Sequence, residues 1–367
     1  MSNIIYMPVK CICGEAAVLN NSSFLSKLGK SCLILTGSSG AEKSGALKDA
    51  VAALEKENIE YTLFNKIGEN PLISACREAG EAARNADADF ILSIGGGSVL
   101  DAAKAVAIYA SNEDLTAIDI YKREYANEPL PVALIGTTAG TGSEVTAVAV
   151  LTNDETGVKK SISGDDCYAK IAFCDPKYTY SLPYASTVST ALDAFAHAIE
   201  GYFSPKCCEA IELWAEKSIP MIYSGLKELA SGKEISRELR EKLYYGSIYA
   251  GLVINTCGTG FPHPLGYVLT ENYGVPHGMA CAAFFAPYID RCAEFAPEKA
   301  AKFFAMTEEK EAVKAVIASL TDLKGVSISK EEAKKYALRW QSVIPRNFTA
   351  SPGGLTQEEA EAILAEI

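Results

Sequence analysis

The chain has 367 residues, 49% of them hydrophobic and 22% charged, and a formal net charge of -12 at pH 7. The length exceeds one ordinary core and points to two domains, while the composition is that of a globular protein. An acidic balance with no offsetting cluster of Lys or Arg argues against a nucleic-acid surface.

In chain order, 31–36 (SCLILT) reads as a buried strand, followed by GSSGAEKSG and a helix over about 46–57. A short strand at 61–64 precedes a helix over 70–85. The run ADFILSI (88–94) is a third strand that ends in Gly95-Gly96-Gly97-Ser98 and enters a helix through Asp101 and Tyr109. Further strands fall at 132–135 and 171–173. This alternation indicates parallel βαβ units. Beyond about Leu182 nearly every segment has helical periodicity: 187–202, 207–231, 235–256, 278–293, 297–318, 330–342 and a tail at 357–367. The expected division is an α/β domain over 1–180 and an all-helical domain over 181–367.

The longest strongly apolar run, 279–286, is far shorter than the roughly 20 residues that span a bilayer, so no membrane segment is expected. MSNIIYMPVKCICG lacks the charged and apolar regions of a signal peptide. Eleven scattered cysteines read as reduced thiols of a cytoplasmic protein rather than as a disulfide framework.

Two glycine-rich loops suggest a nucleotide. Gly96, Gly97 and Ser98 join a buried strand to a helix, where backbone approaches a pyrophosphate and the helix N-terminus stabilises its charge. GGGS alone fits a plain tight turn as well. Asp101 lies one helical turn further in, where a carboxylate could reach a ligand. Thr137, Thr138, Thr141 and Ser143, with Gly140 and Gly142, supply hydroxyls and open backbone for phosphate or ribose. After the first strand come Gly37, Ser38, Ser39 and Gly40, with no carboxylate before Glu42. Rossmann-type folds use an acid in this region to accept a ribose 2′-hydroxyl and repel a 2′-phosphate, so its lack favours NADP(H) over NAD(H). A Ser/Gly turn without cofactor function is the alternative.

The three histidines, His197, His263 and His277, lie in motif-like segments. His197 follows Asp193 by four residues on a predicted helix, so both side chains share a face. Alone, that pair also fits a helical Asp beside a core histidine. On one continuous helix, His263 and His277 would stand roughly 21 Å apart, too far to share an ion. Pro264, Gly266, Gly274 and Pro276 are expected to break the segment, bringing a helix end and the start of the next element together. The four residues then offer an N₃O donor set suited to Fe(II) or Zn(II), with positions left for a substrate oxygen.

The stretches GGGSVLDAAKAVA, TTAGTGSEVTAVAVLT, FCDPKYTYSLP, STALDAFAHAIEGYFS and GTGFPHPLGYVLTENYGVPHGMACA resemble, in order, the iron-containing (group III) alcohol dehydrogenases. The resemblance runs to about Asp290. It implies a Rossmann-like dinucleotide-binding domain followed by an all-α metal-binding domain, the dehydroquinate synthase-like architecture, with metal and substrate in the cleft between them. It implies that Asp193, His197, His263 and His277 bind the metal, Fe(II) with Zn(II) as an alternative. Gly96, Gly97 and Ser98 would hold the pyrophosphate, with Asp101 near the nicotinamide or active site. Thr137, Thr138 and Ser143 would line the cofactor path, and Lys159, beside Lys160, would match a lysine near the nicotinamide ribose. Many members carry a further histidine four residues beyond the third ligand; this chain has Tyr267 there, which puts the proton path in question.

The expected activity is hydride transfer between a nicotinamide cofactor and a small alcohol/aldehyde pair, by a homodimer. Alternatives are a dehydroquinate synthase-like lyase, a glycerol dehydrogenase-like enzyme of the same architecture, or a metal- and nucleotide-binding protein without catalysis. The lyase would need a basic pocket for a phosphorylated, carboxylated substrate, and the metal motifs carry no such cluster.

Overall fold

A computed structural model describes residues 4–367. The chain forms two compact units. One comprises residues 7–138 and 142–182; the other comprises 4–6, 139–141 and 183–367.

The first unit is built on a six-stranded sheet of β1 (Lys10–Cys13), β2 (Ser31–Thr36), β3 (Glu60–Phe64), β4 (Phe90–Gly95), β5 (Val132–Gly136) and β8 (Ile171–Cys174). The spatial order is β1-β8-β5-β4-β2-β3, with every pairing parallel. Strands β2, β4 and β5 are buried almost throughout, which is why they read as unbroken apolar runs: a parallel sheet is covered on both faces. The helices Ala46–Lys56, Ile73–Asn85 and Gly97–Ser111 make the crossovers. From β2 the chain moves outward to β3, then returns to β4 on the opposite side of β2. The order therefore reverses between β2 and β4, and such a switch point is where open α/β sheets form a crevice at the strands' carboxyl ends.

Three strands escape the sequence pattern. β1 is a four-residue edge strand with little burial. β6 (Val148–Thr152) and β7 (Lys159–Ser163) form an antiparallel hairpin whose turn uses Gly157 at φ 66°. The helix expected from residue 70 begins at Ile73 instead. Asn70 has φ 52° and precedes Pro71, and neither condition is compatible with helix.

The second unit is helical. Helix Tyr184–Phe203 is buried over most of its length and packs against Glu209–Ala230, Arg237–Cys257 and His277–Ala282. The segments expected as single helices at 278–293 and 297–318 each divide in two, giving His277–Ala282 and Phe285–Phe295, then Pro297–Met306 and Lys310–Leu320. Apolar spacing continues across these breaks, so periodicity alone joins what the backbone separates. Helices Lys330–Val343 and Gln357–Leu364 both start with capping boxes. Among the described residues no helix is long and apolar enough to cross a membrane.

Candidate metal centre

Asp193, His197 and Glu200 share one face of the helix Tyr184–Phe203. His263 is the second residue of helix Pro262–Tyr273, and His277 is the first of helix His277–Ala282. The expectation that Pro264 and Gly266 break the segment is corrected. Pro264 sits in the first helical turn, where a missing N–H costs nothing, and Gly266 is interior. A Cβ on Gly266 would stand 3.0 Å from both the amide nitrogen and Sγ of Cys281, so this glycine permits close packing of the two helices. The break itself comes from Gly274, left-handed at φ 67°, and Pro276.

A second glycine fixes the approach of His277. A Cβ on Gly278 would collide with the Ser189 carbonyl oxygen and stand 2.8 Å from the Asp193 amide nitrogen. The start of helix His277–Ala282 therefore lies directly against the turn carrying Asp193.

The result is convergent. Oδ1 of Asp193 lies 3.7 Å from His197 Nε2, 3.8 Å from His263 Nε2 and 3.6 Å from His277 Nε2. The His197 and His263 rings stack with centroids 4.9 Å apart, and His263 meets His277 edge-on at 5.4 Å. Asp193, His197 and His263 are buried, whereas the His277 side chain is 31% exposed and marks the open side. Asp193 Oδ1 and His263 Nε2 are buried without a hydrogen-bond partner. Buried polar atoms are ordinarily paired, so two orphans facing each other mark a place for a cation. Donors at roughly 2.0–2.1 Å from an ion stand about 3.4 Å apart in a tetrahedral set, close to the separations here. The residues fit a divalent metal.

Glu200, a residue that sequence reasoning missed, orients this group. Its carboxylate accepts from His263 Nδ1, at 2.8 and 3.0 Å to its two oxygens, and from the Gly260 amide at 2.7 Å. This leaves Nε2 of His263 directed at Asp193, the arrangement in which an outer carboxylate fixes a metal-binding imidazole. The clue in the sequence was its position three residues after His197 in AHAIEGY. The approach to His263 is also anchored by Ser351 Oγ, which accepts from the Phe261 amide at 2.9 Å.

Burial works to raise the Asp193 carboxyl, but the His197, His277 and His263 imidazoles outweigh it and hold it below the ordinary carboxylate value. Burial pushes His197 down to about 4 against the pull of Asp193. At His263 burial also opposes the charged form, yet the Glu200 carboxylate raises it above the usual histidine value.

Cys281 also enters the group. It lies one turn after His277, its Sγ 3.9 Å from His277 Nδ1 and 3.8 Å from Nε2. Donor atoms of Asp193, His263, His277 and Cys281 all fall within 4.8 Å of one another. Tyr267 stacks on His277, with centroids 5.4 Å apart and planes at 15°, and also meets the Trp340 ring with centroids 5.2 Å apart and planes at 45°.

The remaining residues singled out in the sequence lie in the first unit, except Gly140 and Thr141, which fall in the second. Gly37, Ser38 and Ser39 follow β2, while Gly96, Gly97 and Ser98 follow β4, so both loops stand at the switch point. A Cβ on Gly96 would meet Thr138 Cγ2 at 2.8 Å, which is how closely the loop after β5 approaches the GGGS turn. The Thr137 amide donates to the Gly95 carbonyl at 2.9 Å. Asp101 accepts from Ser143 Oγ at 2.6 Å and from the Val150 amide at 2.9 Å. Beside it, the fully buried Lys104 ammonium donates to Ser143 Oγ at 2.8 Å and to the carbonyls of Ser143, Thr146 and Val148 at 3.0, 3.0 and 2.7 Å. Asp101 and Lys104 thus hold the 143–150 segment. Lys159 opens β7 with its side chain buried, whereas Lys160 faces out over the Tyr121 ring.

Comparison with known proteins fixes the family. Residues 8–176 match the iron-containing alcohol dehydrogenase family model, and residues 187–338 match the C-terminal model of the Fe-containing alcohol dehydrogenase family. The chain belongs to the iron-containing alcohol dehydrogenase family. Alcohol dehydrogenase 4 of Schizosaccharomyces pombe is 31% identical over 278 residues, 75% of this chain and 64% of that relative's length. The iron-containing alcohol dehydrogenase of Thermotoga maritima superposes with a TM-score of 0.91 at 34% identity, covering 100% of this chain and 99% of that one. Sulfoacetaldehyde reductase of Bifidobacterium kashiwanohense, solved with NAD+, gives 0.88 at 25% identity, covering 100% of this chain and 99% of that one. The family places a metal and a nicotinamide cofactor in the chemistry.

Proposed function

We propose that the protein is a metal-dependent alcohol dehydrogenase or aldehyde reductase that transfers a hydride between NAD(P)(H) and a small alcohol or aldehyde. The observation that carries this reading is the Asp193 oxygen surrounded by three imidazole nitrogens at 3.6–3.8 Å. A divalent ion bound there would polarise a carbonyl or stabilise an alkoxide as a Lewis acid, and the nicotinamide would supply the hydride.

The chain's own residues do the positioning. Asp193 supplies a negative charge to the site, and Glu200 keeps His263 in the tautomer that presents Nε2. At the switch point, the N-terminus of helix Gly97–Ser111 offers amides without intrahelical partners to a pyrophosphate. Lys104 and Asp101 hold Ser143 near that surface. Tyr267, against the most exposed of the three histidines, is the side chain we assign to the proton path. The lack of a carboxylate before Glu42 in the loop after β2 supports NADP(H), although the related sulfoacetaldehyde reductase was solved with NAD+. Iron(II) is the inferred ion, with zinc as its competitor. The eleven cysteines, all free, support a cytoplasmic setting.

The deciding experiment is an anaerobic aldehyde-reduction assay with NADH and with NADPH, after loading with Fe(II) or Zn(II). His263→Ala should lose bound metal and activity together. Full activity in metal-free protein would overturn the reading. Net turnover of the cofactor separates a dehydrogenase from a lyase that regenerates its own.

A further inference from the structure

We propose that Cys281 is a thiolate ligand of the metal centre, which gives this chain a softer donor set than one carboxylate and three imidazoles. The inference rests on the metal centre described above and goes beyond it.

Four observations carry it. Cys281 Sγ is grouped with donor atoms of Asp193, His263 and His277 within 4.8 Å, a grouping that does not include His197. The sulfur lies 3.8 Å from His277 Nε2, comparable with the separations between the imidazole nitrogens and Asp193 Oδ1. Asp193 Oδ1 and His263 Nε2, on the same group, are buried and unpartnered. The sulfur is also held in place, because Cys281 is fully buried and its backbone and Sγ pack on Gly266, where any larger residue would push it away.

The chemistry balances without an oxidant. When Cys281 binds, a sulfur–metal bond forms, the S–H bond breaks, and the proton passes to water. Thiolate ligands favour zinc and other soft ions, whereas harder oxygen and nitrogen sets hold them less selectively. Compared with a set of one carboxylate and three imidazoles, Cys281 therefore raises the affinity for zinc or cobalt(II) more than that for iron(II), which strengthens zinc as the competitor.

Cobalt(II) titration of the full-length apoprotein under anaerobic conditions tests this directly. Wild type should show both visible ligand-field bands and a near-ultraviolet thiolate-to-cobalt charge-transfer band. Cys281→Ser and Cys281→Ala should keep the ligand-field bands and lose the charge-transfer band. Both should also lower zinc affinity relative to iron(II) by at least the roughly tenfold that even outer-sphere changes produce. Ligand-field bands without charge transfer in wild type, or charge transfer that persists in both variants, would overturn the assignment of Cys281 and leave the metal centre standing. No cobalt uptake by wild type would overturn the metal centre itself. X-ray absorption of zinc-loaded wild type needs no variant: one sulfur at about 2.3 Å is expected, and a shell of only nitrogen and oxygen rejects the proposal.

Discussion

Glu200 grips His263 through both carboxylate oxygens, 2.8 and 3.0 Å from Nδ1, while one of those oxygens also takes the Gly260 amide at 2.7 Å. A single buried carboxylate thus sets the tautomer of the His263 ring, proposed as a metal ligand, and the path of the backbone leading to it. Glu200→Gln should lower metal affinity by roughly 10–100-fold without unfolding the protein. Metal competition with a fluorescent chelator checks this; unchanged affinity would remove Glu200 from the centre.

Metal binding should weaken as the pH falls. Because Glu200 raises His263 above the usual histidine value, His263 holds its proton to higher pH than an ordinary histidine, and an ion must displace it. His197, pushed down to about 4, is already neutral and contributes little to the dependence above pH 5. The part of the affinity–pH curve that His263 contributes should therefore shift to lower pH in Glu200→Gln. A curve unmoved by that substitution would contradict the assignment.

Gly278→Ala should damage the centre although it touches no donor atom. Its Cβ would meet the Ser189 carbonyl, part of a backbone that cannot swing aside, so helix His277–Ala282 must retreat and carry His277 away from Asp193. Overpacking of this kind costs about 1–3 kcal/mol. Metal content after purification and the thermal midpoint should both fall.

Tyr267 tests a wall against a proton path. Tyr267→Phe keeps the ring on His277 and should leave metal affinity unchanged while slowing turnover by roughly 10²-fold or more, as loss of a proton-transfer group does. Tyr267→Ala should loosen metal as well. Equal activity in wild type and Tyr267→Phe would remove the hydroxyl from the proton path.

Lys104→Met should destabilise the sheet unit. The substitution strips donors from the carbonyls of Ser143, Thr146 and Val148 inside the protein and leaves Asp101 without its neighbouring cation. Breaking one side of a buried charged cluster costs about 3–5 kcal/mol. A lower denaturant midpoint at constant slope is the expected signature.

The fold was legible where burial is two-sided. Strands β2, β4 and β5 announce themselves as apolar runs because both of their faces are covered. Edge strand β1 and hairpin β6–β7 do not, because each hides part of a face and carries lysines. At the centre, the scarcity of histidine exposed His197, His263 and His277, and spacing exposed Asp193. Glu200 and Cys281 stayed hidden because their relevance depends on which elements meet in space. Gly266 misled for the same reason: a glycine that admits a neighbouring helix is indistinguishable, in a string of letters, from one that ends its own.

Asp193, His197 and Glu200 are read off a single helix at offsets of four and three residues. The centre is thus calibrated by the phase of that helix. Deleting one residue between Asp193 and His197 would turn one part of the face about 100° relative to the other. Size-conserving substitutions at 194–196, 198 and 199 leave this phase alone, whereas the smallest change in length destroys it. Apart from His197, these buried positions should accept an apolar side chain of similar size more readily than a single insertion or deletion.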